Sequence, residues 1–269
     1  MKNASSEKIE ALPKKTSGIK YILLSIVFGL AFPISYSTYN SSSISSDIYD
    51  SILDGTIQST NPEDIMNAVL SDGSFLLTMQ LLFWAGLLIG PIFAAIFGRY
   101  KFLGKEGMFA LGFKAKWIFL GLLFGILAQA VSLGIGYLVQ LAYPKEELTG
   151  NGSAIIEAFS GVSPLLVFLV IAIGAPIVEE IFYRGLVFTA LANKFGLVTG
   201  GIVSSLLFGI SHYSDSSING IFAILLTTIL GGVLAYSRVK SGGIFLPIMI
   251  HIGFNSVAAS ALLALSYLS

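Results

Sequence analysis

Cysteine is absent from the 269 residues, charged residues make up only 11%, and histidine occurs just twice. The missing cysteines exclude thiol chemistry, iron–sulfur clusters and cysteine-based zinc sites, and carry no information on compartment. The scarcity of charge excludes more. A soluble domain carries roughly 25% charged residues, whereas this chain is 55% hydrophobic with a mean hydropathy of +0.84. Fifteen basic and fifteen acidic side chains cancel, so the charge balance gives no sign of nucleic-acid binding. What remains is an all-α, polytopic membrane helix bundle.

A helix needs about 20 mostly apolar residues to cross the hydrocarbon core. Seven stretches are expected to span, near Ile19–Tyr36, Phe75–Phe97, Trp117–Tyr143, Pro164–Phe188, Leu197–Tyr213, Ile218–Tyr236 and Gly243–Leu268. The fourth pattern continues through Leu191, and Pro176 beside Gly174 and Ala175 predicts a kink there, because proline lacks a backbone donor. Gly86-x-x-x-Gly90 and Gly121-x-x-x-Gly125 permit close helix approach. Residues 1–163 form an N-terminal three-helix part and 164–269 a catalytic part, together one integral membrane domain. No internal repeat of the transporter kind is visible.

Lysines 2, 8, 14, 15 and 20 precede the first span, Arg99, Lys101, Lys105, Lys114 and Lys116 follow the second, and Lys194, Arg238 and Lys240 follow the fourth and sixth. An N-terminus in the cytoplasm puts all of these inside, with Lys145 the exception. The serine-rich loop 37–74 carries six acids and no Lys or Arg, so it is expected outside. A polar stretch of about 18 residues precedes the first apolar run, which therefore reads as an anchor helix and not a cleavable signal. Twelve lysines to three arginines suggest an AT-rich bacterium, hence a multi-pass protein of a bacterial cell membrane.

Ionisable side chains inside a bilayer cost roughly 2.5–3.5 kcal/mol each on insertion scales and mark function more often than not. Here they are Glu179, Glu180 and Arg184 on the fourth span, His212 on the fifth and His251 on the seventh, joined by Asn255. Glu180 and Arg184 are four apart with the acid first, the favourable order for a helical pair. Phe208 and His212, and His251 and Asn255, share the same spacing. Adjacent Glu179 and Glu180 point about 100° apart, so one faces a pocket while the other turns to Arg184. Taken singly, each feature is also what a structural clamp or a helix–helix hydrogen bond looks like, and Phe208 reads as core. Their concentration on three late helices argues for chemistry.

A carboxylate and an imidazole sharing a water make a general-base arrangement for hydrolysis. A histidine and an asparagine amide can donate to an oxyanion. Two histidines and a glutamate can equally hold a divalent metal such as zinc. The spans carry no His-Glu-x-x-His and no aspartate, and Ser211 beside His212 is misplaced for a serine nucleophile.

The runs Glu179-Glu180-Ile-Phe-Tyr-Arg184, Phe208-Gly-Ile-Ser-His212 and His251-Ile-Gly-Phe-Asn255 resemble, in that order, the motifs of the CAAX proteases and bacteriocin-processing enzymes, also called the Abi family. The likeness covers roughly Pro164–Ala259. It implies an intramembrane endopeptidase acting on a membrane-associated or secreted peptide, in peptide processing, bacteriocin immunity or regulation. It further implies that Glu179 and His212 activate water, that His251 and Asn255 stabilise the oxyanion, and that Glu180 and Arg184 support the site. Metal-dependent and metal-free chemistry both stay open. Two other readings are a non-catalytic scaffold partnering a membrane sensor kinase and a proton-coupled transporter, since Glu and His relays line such paths too.

Overall fold

The computed structural model describes residues 18–39, Leu53, 73–97, 109–143, Phe159, 161–213 and 218–267. Most of the serine-rich loop, the lysines before Gly18, Arg99, Lys101, Lys105 and Lys145 lie outside them. Apolar runs in a solvent without hydrogen-bonding partners must satisfy their own backbone groups, and helices do so within one segment. Among the described residues seven helices result: α1 (Ile19–Tyr39), α2 (Gly73–Phe97), α3 (Lys116–Ala142), α4 (Pro164–Phe195), α5 (Leu197–Ile210), α6 (Ile218–Ser241) and α7 (Phe245–Ser266). The chain is a multi-pass integral membrane protein. Its outward apolar surface is what a lipid-facing bundle requires, with Phe119, Val131 and Leu127 of α3 and Ile202 of α5 all more than half exposed.

Six of the helices are long and apolar enough to cross a membrane, and α5 is not. Its 14 residues span about 21 Å, short of the roughly 30 Å core. The expected fifth span, Leu197–Tyr213, is thus cut short at Ile210. The cause is local competition for backbone carbonyls. Phe208 O accepts from Ser211 Oγ at 2.8 Å and from His212 Nδ1 at 2.8 Å, while the His212 backbone N–H tightens to Gly209 O at 3.0 Å. The fourth span extends beyond its expected end at Phe188, to Phe195.

Small residues set the closest contacts. A Cβ on Gly86 would meet Phe28 O, and one on Gly90 would meet Tyr21 O and Ser25 Oγ, so the first Gly-x-x-x-Gly seats α2 antiparallel on α1. A Cβ on Gly121 would strike Met249, and one on Gly125 would strike Ile250 O, so the second seats α3 parallel on α7. Gly209 against Thr228 and Gly231 against Ser205 make α5 and α6 an antiparallel hairpin. At the start of α7, Ile244 N–H donates to Ala110 O at 2.8 Å and Phe245 N–H to Leu111 O at 2.9 Å, filling orphan donors of the first turn.

The site-bearing helix α4 is irregular by design of its sequence. Two π-helical stretches, Val170–Gly174 and Ile181–Val187, flank the α-helical turn Ala175–Glu180. Such bulges widen a helix by one residue per turn and occur chiefly at functional sites.

Candidate functional site

Pro176 and the two π-stretches turn α4 so that Glu180 and Arg184 both face the bundle interior, each fully buried. Arg184 Nη1 donates to Glu180 Oε1 at 2.9 Å, and Arg184 Nη2 donates to Gly231 O on α6 at 3.2 Å. From α7, His251 sets its Nδ1 3.0 Å from the same Glu180 oxygen. Since a carboxylate oxygen accepts, His251 carries its proton on Nδ1, and in the neutral ring Nε2 is left as an acceptor. That Nε2 lies 3.7 Å from Glu179 Oε2, whose side chain is 16% exposed.

His212 ends α5, half-buried, with Nδ1 on Phe208 O. A carbonyl only accepts, so this imidazole also holds its proton on Nδ1 and leaves Nε2 as the lone-pair nitrogen. The two histidines meet through one ring. Phe208 packs edge-on against His212 at 4.7 Å and against His251 at 5.5 Å between centroids. The Arg184 guanidinium lies 4.4 Å over the same ring. Phe208 is fully buried, and it is core in a stronger sense than its apolar character suggests: it fixes both imidazoles and the cation.

Of the six residues singled out in the sequence, Arg184, Glu180, His251 and Glu179 are joined in that order by contacts between neighbours. His212 joins them through Phe208. Asn255 turns away from them, its Nδ2 donating to Ile171 O on α4 at 3.0 Å. Several participants escaped the sequence reading. Tyr183 packs on Phe208 at 5.2 Å. Thr189 Oγ1 donates to Arg184 O at 3.3 Å where the second π-stretch returns to α-helix. Gly231 contributes only a carbonyl, and Phe109 presses on Gly185 so closely that a Cβ there would lie 2.5 Å from its ring. Tyr183 sits within the first motif and could have been suspected. Thr189 acts within α4, while Gly231 and Phe109 act through tertiary contacts that leave no mark in spacing.

Three buried polar atoms of the cluster have no hydrogen-bond partner among the described residues: Glu179 Oε2, Glu180 Oε2 and Arg184 Nε. Of these, Glu179 Oε2 belongs to a partly exposed side chain. A cavity of about 190 Å³ lies beyond Ile171, between the first turns of α4 and the last turns of α7, walled by Pro164, Phe168, Ile171, Ala259 and Leu262. A catalytic zinc takes three converging protein ligands at roughly 2.0–2.3 Å. Among the described residues no three His, Asp or Glu side chains form such a group. Both imidazoles keep Nε2 free while Nδ1 is held by Glu180 or by Phe208 O, and no step below passes through a metal.

Residues 161–257 match the family model described as type II CAAX prenyl endopeptidase Rce1-like. That segment is similar to the Rce1-like family. The matched segment runs from just before α4 into α7 and contains all six residues above. The chain is 29% identical over 147 residues to "Putative membrane peptidase YdiL" of Bacillus subtilis (strain 168), covering 55% of this chain and 56% of that protein. It is 28% identical over 89 residues to an uncharacterized 24.3 kDa protein of Escherichia coli, covering 32% and 40%. The chain therefore spans about half the length, or less, of the curated relatives it matches. No solved structure matches it. The matched segment resembles a family of membrane proteases, and its helices hold Glu179, Glu180, Arg184, His212 and His251.

Proposed function

We propose that this protein is an intramembrane endopeptidase that hydrolyses a peptide bond with Glu179 as general base. The observation that carries the reading is the facing of Glu179 Oε2 and His251 Nε2 at 3.7 Å. Both atoms are acceptors when His251 is neutral, so each repels the other unless something donates between them. A water with one hydrogen on each, admitted as the partly exposed Glu179 side chain swings outward, resolves the conflict. It is then held next to a carboxylate oxygen that no protein group engages.

Glu179 takes a proton from that water as its oxygen attacks the scissile carbonyl carbon. The C–N bond breaks when the tetrahedral intermediate collapses, and Glu179 returns the proton to the leaving amine. His251, oriented through Nδ1 by Glu180, holds that water in place through its Nε2 lone pair. His212 offers its open Nε2 from the far side of Phe208 as the second base. Glu180 and Arg184 orient His251 and touch no substrate in this scheme. Asn255, engaged by the backbone of α4, holds the site together.

The substrate is proposed to be a membrane-associated or secreted peptide, in processing, bacteriocin immunity or regulation. Comparison of wild type with Glu179→Ala at matched membrane abundance, read by peptide mass spectrometry in the source cell, tests the reading. An uncut precursor accumulating only in the variant supports it. Full function of the variant sinks it and favours a scaffold for a partner such as a sensor kinase.

A further inference from the structure

Pro176 sits inside α4 immediately after a π-turn. The Ala175 N–H bonds Val170 O, a step of five residues. In that register the next donor, from residue 176, would serve Ile171 O. Residue 176 is proline and has no N–H. Ile171 O is thereby stripped of its helical partner, in a segment where an unpaired carbonyl is costly. The atom found on it is Asn255 Nδ2 at 3.0 Å, contributed by α7 from 84 positions away.

The same substitution of donors occurs elsewhere in the bundle. Pro91 lies inside α2, and the carbonyl four residues before it, Leu87 O, accepts from Ser25 Oγ of α1 at 2.7 Å. In both places a side chain on a neighbouring helix supplies what a proline lacks.

We infer that Asn255 is a positioning residue whose amide replaces the missing donor of Pro176, pinning the π-turn of α4 to α7 and so setting Glu179 and Glu180 against His251. Asn255 stands one turn from His251 on α7, and Ile171 two turns before Glu179 on α4. One bond therefore fixes the relative height of the two helices close to the site. Without it, the bulge is free to relax to another register and carry the glutamates with it.

A double-mutant cycle tests this, since replacing Pro176 restores the backbone donor and makes the amide redundant. Four full-length proteins are compared in detergent: wild type, Asn255→Ala, Pro176→Ala and the double variant. Asn255→Ala alone is expected to lower the melting temperature by about 2–4 °C. In the Pro176→Ala background the same change is expected to shift it by less than half as much. Equal shifts in both backgrounds, or none in either, overturn the inference. Turnover gives a second readout, which rests on the endopeptidase reading while melting does not. Loss of kcat in Asn255→Ala that is relieved by Pro176→Ala supports positioning. Loss of kcat that persists undiminished in the double variant makes Asn255 a contact to the reacting atoms and also overturns it. If wild type cleaves nothing, the proposed activity fails, and the melting cycle still decides the role of Asn255.

Discussion

His251 Nδ1 and Arg184 Nη1 donate to one and the same atom, Glu180 Oε1, at 3.0 and 2.9 Å. The fully buried carboxylate is held by an arginine of its own helix and in turn holds a histidine of another. Arg184 thus bonds into the site through Glu180 and otherwise meets it over the Phe208 ring. Glu179, the neighbour on the chain, is left free to face the other nitrogen of the same imidazole.

Removing Arg184 leaves Glu180 as a buried charge with a histidine for its only partner. Breaking a buried pair by deleting one member costs about 3–5 kcal/mol. Arg184→Ala is therefore expected to melt well below wild type in detergent. An unchanged melting temperature would show that the pair carries no weight.

Glu179→Ala and His212→Ala touch partly exposed side chains at the margin of the buried cluster. Each is expected to abolish cleavage while keeping melting close to wild type. Cleavage retained in both variants defeats the assignment of the site.

Gly185 has room for no side chain, because Phe109 is itself buried and its ring stands where a Cβ would go. Overpacking of this kind costs about 1–3 kcal/mol. Gly185→Ala is expected to lower both stability and turnover, and Phe109→Leu in the same protein to restore part of each. A variant indistinguishable from wild type would mean that this contact does not brace the π-stretch around Arg184.

A water activated by Glu179 alone needs no metal. Prolonged dialysis against a zinc chelator is expected to leave turnover unchanged. Loss of turnover that added zinc reverses would replace the general-base scheme with a metal-bound water on Glu179, His212 and His251.

The membrane class, the helical architecture and the positions of most spans followed from composition and run length alone, because a bilayer accepts few ways of burying a backbone. Glu179, Glu180, Arg184, His212, His251 and Asn255 stood out for the same reason: polar side chains are scarce there, so six near one another are conspicuous. The four-residue spacing of Glu180 and Arg184 anticipated their pairing, since that contact lies within one helix. Tertiary structure decided the rest. Whether His251 served Glu179 or Glu180 depended on how α7 lies against α4, and no spacing within either helix encodes that. The end of α5 at Ile210 came from side chains competing for Phe208 O, a contest that hydropathy does not register. The proline in α4 was visible in the sequence. Its unpaired carbonyl and the amide that meets it lie 84 residues apart, and only packing brings them together.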